Sequence, residues 1–355
     1  MQETIVPGVA SWSQWQPDRA MYFNSWLIRG EAGTFVVDPL EPDAAVLAAC
    51  RAAGVRDVVI TNRDHERAAE TFVRELGAHV HAPAADAGAL ARPPDAVFHD
   101  GDAIFGWTVL TFDGCKTAGE SALTRRFPGG MRVHIVGDAL WGVPAGAVRM
   151  MPDEKLRDPR AAALSLRRLR AYKPDHLLLG DGTPVYGGAY AALNALFAAR
   201  TDVLAQRVNV DELAYTAFPA DPAPFNGSYA DAGQLLGAER LGYSVAVLRP
   251  GEAFCPLHWH TREEEFFVVL RGTPTLRTPA GMFPLRPHDI IAFRCEPAGA
   301  HRLDNGAAED AVVLMVANSD GGDVCYYPDS RKFVVEATGT LVRETPQLDY
   351  FDGEA

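Results

Sequence analysis

The feature that most constrains this chain is a change of hydrophobic period near residue 235. Ahead of it, strand-like and helix-like segments alternate. Residues 23–29 and 34–37 are short apolar runs broken by Gly30 to Gly33, a hairpin pattern. Residues 43–53 space alanine, leucine and valine as a helix does and stop at Gly54. Residues 57–61 read as a buried strand, and 65–76 as a helix ending at Gly77. Strand patterns at 107–112, 131–136 and 176–179 then interleave with helix patterns at 159–172 and 189–200. Such interleaving specifies an α/β layered domain.

Beyond residue 235 helical spacing disappears. Residues 243–248, 265–270, 275–277, 289–293 and 311–316 are short β-rich runs separated by glycine and proline, the pattern of an all-β sandwich or barrel. At 355 residues the chain is long for one core. The expected organisation is an α/β domain over 1–205, a linker or strap over 206–236, and an all-β domain with a C-terminal tail over 237–355.

Charge and composition narrow the partners. A net charge of −13 disfavours nucleic acid and anionic membrane surfaces. Arg167, Arg168 and Arg170 fall on one predicted helix, where a solvated face is expected. The five cysteines stand singly, which argues against a disulfide framework or a structural zinc knuckle. Neither a basic-then-apolar leader nor a run of about 18 apolar residues is visible, so a soluble, cytoplasmic protein is expected.

The densest chemistry lies in the second half. His258 and His260 stand at i and i+2, which on a strand places both side chains on one face. Trp259 between them is expected on the opposite face. Glu265 opens the next strand run, with Glu263 and Glu264 as rival carboxylates, and His301 follows from a later strand. Three imidazoles and one carboxylate suit a divalent Mn, Fe, Co, Ni or Zn ion and leave positions open for water or substrate.

The string from Gly251 to Gly272 resembles the first motif of the cupin family: H-x-H, then Glu after four residues, then Gly after six more. Pro297, Gly299, His301 and Asn305 resemble the second motif. Six residues rather than five separate Gly251 from His258, His288 replaces the usual glycine before Asp289, and one residue fewer separates Gly299 from His301. The resemblance covers about residues 240–335. It implies a double-stranded β-helix barrel, one divalent transition metal on His258, His260, Glu265 and His301, and a homodimer. It implies metal-assisted chemistry on a small polar molecule, with dioxygenase, isomerase and decarboxylase outcomes all open. No general base is evident; Glu263, Glu264, Tyr326 and Tyr327 are candidates. The alternative is a non-enzymatic metabolite sensor or scaffold.

The first two hundred residues resemble the metallo-β-lactamase fold, an αββα sandwich. Residues 23–28, followed by Phe35 to Pro39, are similar to its opening hairpin. The family's T-H-x-H-x-D-H metal motif falls on Thr61 to Arg67, where Asn62, Asp64 and Arg67 occupy histidine positions and Glu66 the aspartate position. Asp138 matches the family's metal-bridging aspartate, and Gly180-Asp181-Gly182 its late G-H-G with Asp for His. Cys115 lies near the place of the middle histidine. An arginine at a ligand position repels a dication, and the remaining set, Asp64, His65, Asp138 and Asp181, is richer in carboxylate than zinc prefers. The resemblance therefore implies the fold without the hydrolase; the plain alternative for these residues is that Asp64 to Arg67 form salt bridges, with Asp138 and Asp181 paired to Arg63 or Arg67. A hydrolase built on the carboxylate-rich set is the other reading.

Overall fold

The computed structural model describes residues 1–200, 206–217 and 221–344. The ends of the expected first domain (201–205) and tail (345–355), and part of the expected strap (218–220), lie outside the described residues. The chain divides into two compact units, Met1–Gln206 and Arg207–Ala355.

In the first unit, alternation along each strand feeds separate cores. Trp26 and Ile28 enter one core and Leu27 another; Phe35 and Val37 follow the first, and Val36 the second. The first of these cores also takes Trp107, Val109, Leu123, Val133, Ile135 and Leu178, so it lies between two sets of strands. On one outer face, Val46 and Cys50 of the helix Ala44–Ala53 and Phe72 of the helix Ala69–Leu76 cover Leu27, Val36, Val58 and Val80. On the other, Ala162, Leu166, Leu193 and Phe197 cover Leu110, Ala122, Val136, Leu177 and Leu179. Helix, sheet, sheet and helix follow from period-2 strands buried on both sides.

The strand order places the polar residues. Gly33–Val37, Asp57–Val59, His79–Pro83 and Ala96–Phe98 run parallel side by side. Arg132–Gly142 and His176–Gly182 form a second parallel pair. The two sets join through one register pair, Asp181 with Phe23 of the strand Met21–Gly30.

Several expected elements change extent. The helix expected from His65 starts only at Ala69, because Arg63–His65 form a 3-10 turn capped by the Asn62 side chain and Arg67 takes a φ of 38°. The strands expected to end at 136 and 179 continue to Gly142 and Gly182, which carries Asp138 and Asp181 onto strands. The helix expected over 159–172 breaks at Arg167 into Pro159–Leu166 and Arg168–Ala171. Its basic face is solvated only at Arg168: Arg167 and Arg170 are 7% and 3% exposed, and Arg170 lies over the Phe197 ring, 4.9 Å from its centroid. Long arginine stems cover apolar surface while the cation finds an aromatic face.

The second unit is all β apart from short helical turns and the helix Ala232–Leu236. One sheet runs Leu241–Leu248, Ala311–Asn318, Glu265–Arg271, Ile290–Phe293, and Ser228–Ala230 from the expected strap pairs at its edge. The other sheet includes Thr275–Thr278, His301–Asp304, Ala253–His260 and Val324–Tyr327. Ala246, Phe267, Phe293, Val313 and Met315 of the first sheet share a core with Leu276 and Leu303 of the second, which makes a barrel interior. Among the described residues no helix is long and apolar enough to cross a membrane.

Candidate functional site

The strand Ala253–His260 changes partner within its own length. Ala253, Phe254 and His258 pair with the strand His301–Asp304, His258 lying opposite His301. Trp259 and His260 pair instead with Tyr326 and Cys325. A bulge between Phe254 and His258, with Cys255 at a φ of 53°, accompanies the switch. Trp259 stacks on Tyr326 at 4.6 Å, with the rings 8° from parallel, while the flanking histidines turn the other way. Gly272 ends the motif for a steric reason: its φ is 79°, and a Cβ there would fall 2.6 Å from the Asp310 carbonyl oxygen.

Four side chains converge from three strands. His258, Glu265 and His301 offer ligand atoms that lie within 4.8 Å of one another. Glu265 Oε2 is 3.2 Å from His301 Nε2, 3.5 Å from His260 Nε2 and 3.9 Å from His258 Nε2. Each ring has its other nitrogen engaged: His258 Nδ1 at 2.9 Å from the Pro256 carbonyl, His301 Nδ1 at 3.0 Å from the Gly299 carbonyl, and His260 Nδ1 at 2.6 Å from Asp323 Oδ2. Carbonyl and carboxylate oxygens only accept, so each Nδ1 carries a proton, and a ring that holds only that proton presents its Nε2 lone pair toward Glu265. Glu265 Oε2 and His301 Nε2 are buried without a hydrogen-bond partner among the described residues. Phe293 stacks on the His301 ring at 3.7 Å and Phe267 meets it edge-on at 5.2 Å, which fixes the ring plane.

Electrostatics separates the three histidines. Burial, followed by the neighbouring His301, pushes the His258 pKa down to about 4. Burial also opposes charge on His260, but Cys325, Glu265 and Asp323 outweigh it and raise the pKa to about 10. Glu265 is held below the usual carboxylate value, since His301, His260 and His258 outweigh its burial. Of the rival carboxylates, Glu263 Oε1 accepts from the Asp320 amide, and Glu264 is exposed. Tyr327 lies 6.1 Å from His258 between ring centroids, while Tyr326 is spent on Trp259.

The first unit gathers a second polar cluster at its strand ends. His65 is buried between two carboxylates: Nδ1 lies 2.8 Å from Asp38 Oδ2 and Nε2 3.1 Å from Asp138 Oδ1. His65, Asp138 and Asp181 offer ligand atoms within 4.8 Å of one another, but the chain's own cations stand among them. Arg67 Nη2 is 3.2 Å from Asp181 Oδ1 and only 2.8 Å from His65 Nε2. Lys116 pairs with Asp64 and reaches Asp138 Oδ2 at 3.6 Å. These groups line a cavity of about 410 Å³ with Phe23 and Met151. Burial and Arg67 oppose charge on His65, yet Asp38 and Asp138 outweigh them and raise its pKa to about 10.

The expected pairing is thus met in part: Asp181 takes Arg67, but Asp138 takes His65 and Lys116 rather than Arg63 or Arg67. Arg63 comes no closer than 3.9 Å to Asp64. Cys115 packs in the helix-covered core, and Glu120 occupies the centre instead, fully buried, with Oε1 accepting from the Ala139 amide. Gly137 leaves room for this crowding, since a Cβ there would fall 2.2 Å from Thr61 Oγ1. Lys116, Glu120 and Asp323 had no motif to announce them. Lys116 stands beside Cys115, and a cation carries no metal-ligand signal.

Residues 1–200 match the family model of the metallo-beta-lactamase superfamily, and residues 244–317 match that of the cupin domain. No curated protein matches the chain. Among solved structures, a sugar phosphate isomerase from a cupin superfamily of Silicibacter pomeroyi is 24% identical over 41% of this chain and 98% of its own, with a TM-score of 0.37. A putative sugar phosphate isomerase from Acidithiobacillus ferrooxidans is 24% identical over 41% and 97%, also at 0.37. The DIM-1 metallo-beta-lactamase is 10% identical over 56% of this chain and 97% of its own, at 0.45.

Proposed function

Because this chain belongs to the metallo-beta-lactamase superfamily over residues 1–200 and carries a cupin domain over 244–317, we propose that its chemistry resides in the cupin unit. There His258, His260, Glu265 and His301 hold one divalent transition metal that acts on a small polar metabolite. The observation that carries this reading is the convergence of three ring nitrogens on one buried carboxylate oxygen. Three Nε2 atoms face Glu265 Oε2 at 3.2, 3.5 and 3.9 Å, and the closest pair is buried without other partners. Unshared pairs at that distance repel in a low-dielectric interior unless a proton or cation lies between them. Ligand atoms about 2.1 Å from one ion, at right angles, stand about 3 Å apart. A slight inward movement of the rings closes such a shell.

A bound ion supplies Lewis acidity toward a carbonyl, enediolate or hydroxyl oxygen. The chain's own residues supply the rest. Phe267 and Phe293 keep water from the His301 side, and Tyr327, whose pKa burial and Cys325 raise, stays a neutral phenol near His258. In the first unit, Arg67 and Lys116 stand where a metal would need room, which supports a domain without hydrolase activity. Pairing of two copies belongs to the same reading, supported by Phe266 and Ile290, which are 40% and 71% exposed on neighbouring strands of one sheet.

The test is elemental analysis of the full chain after supply of each candidate metal, followed by turnover of diols, catechols, keto acids and sugars. One ion per chain with turnover of one class is the expected result. One ion without turnover of any class makes the barrel a sensor. No retained ion overturns the reading.

A further inference from the structure

The three histidines of the cupin unit are held by unlike acceptors. His258 and His301 each give Nδ1–H to a backbone carbonyl two residues earlier, a neutral and local partner. His260 gives it to a carboxylate 63 residues away, at 2.6 Å. Asp323 is fully buried, and no arginine or lysine pairs with it among the described residues. Its charge is met by hydrogen bonds alone: Oδ2 accepts from His260, while Oδ1 accepts from the Arg262 amide at 2.7 Å and the Thr261 hydroxyl at 3.0 Å. Thr261 Oγ1 in turn accepts from the Val324 amide at 2.9 Å. The carboxylate therefore ties His260 to the turn that leads into Glu265.

All three donors point at Asp323, so the group in that place must be acceptor-only on both atoms. An ionised carboxylate meets this demand and an amide does not. Resting on the metal reading above, we propose that Asp323 is a positioning residue that fixes His260 in its metal-ligating tautomer and makes it the strongest donor of the three rings. A carboxylate behind an imidazole raises the basicity of the far nitrogen more than a carbonyl does. Glu265 and Asp323 together also balance the two charges of a divalent ion.

Asp323→Asn tests this with little change of shape. Its NH₂ must face either the two donors of the turn or His260 Nδ1. Facing the ring, it forces the proton onto Nε2 and removes that ligand. Co²⁺ and Zn²⁺ titrations of the full chain against a competing chelator, with the Co²⁺ visible spectrum, provide the readout. Asp323→Asn is expected to weaken metal binding about 10–100-fold and to shift the Co²⁺ bands, with the metal-free melting temperature little changed because the tautomer switch keeps the hydrogen bonds of the network. His260→Ala is the control. If it loses metal while Asp323→Asn binds like the wild type with an unshifted spectrum, the role of Asp323 is overturned and the metal reading stands. If the wild type binds neither ion, both fall. Should Asp323→Asn not fold, the His260 Nδ1–H proton in the wild-type ¹H spectrum is expected furthest downfield of the three rings. Its appearance alongside those of His258 and His301 contradicts the proposal.

Discussion

Both units of this chain draw histidine and carboxylates together, and they differ in what neutralises them. In the first, Arg67 and Lys116 are cations built into the chain, bonded to Asp181, Asp64 and Asp138. In the second, the ion-pair contacts of Glu265 are to histidines alone among the described residues, and Glu265 Oε2 and His301 Nε2 have no hydrogen-bond partner. The same residue classes thus give a closed ion-pair network in one place and a set poised for an external cation in the other. The lesson is that a tethered cation can meet the charge of buried acids at a strand end, as Arg67 and Lys116 do for Asp181, Asp64 and Asp138.

The widest separation between the two clusters is in metal content. His258→Ala combined with His260→Ala should take bound metal from about one ion per chain to nearly none, whereas Asp138→Ala should leave it unchanged. Equal loss in both variants breaks the comparison. Next in size is Arg67→Ala, which leaves Asp181 buried without its cation. Removing one partner of a buried pair costs roughly 3–5 kcal/mol, and the side chains of Arg67 and Asp181 are 12% and 3% exposed. Five of the six tryptophans (Trp12, Trp15, Trp26, Trp107, Trp141) lie in the first unit, so urea unfolding followed by tryptophan fluorescence reads it directly. A loss below about 1 kcal/mol shows that the network does not hold that charge.

An effect of comparable size is expected from pH. His65 has its pKa raised from 6.5 to about 10 in the folded chain. A raised value means that the folded state binds the proton more tightly, so this contribution is complete below about pH 6.5 and is lost as pH rises through 10. The fluorescence-detected melting temperature should fall across that window, and His65→Gln should flatten the slope. The smallest effect belongs to Lys116→Ala. Its side chain is 38% exposed, so water screens the pair with Asp64, and a cost under about 1 kcal/mol is expected in the same urea assay.

Much of this was legible in the sequence because period and spacing carry it. Alternation alone puts His258 and His260 on one face and Trp259 on the other, and the interleaved strand and helix patterns of the first unit announce its α/β layering. The departures have a common cause. Arg170 is buried over Phe197, Lys116 turns to Asp64 and Asp138, and Asp323 reaches across 63 residues to His260. Each depends on a long-range side-chain contact that leaves no periodic trace. The start of the helix at Ala69 was hidden for another reason: Arg67 takes a positive φ, which the sequence of a non-glycine residue does not announce.

The most direct measurement is anomalous diffraction from a crystal of the full chain, recorded on both sides of the absorption edge of the metal it retains. One peak bonded to His258, His260, Glu265 and His301, with none beside His65, Asp138 and Asp181, is the predicted result. A peak in the first cluster, or none in the second, contradicts the account.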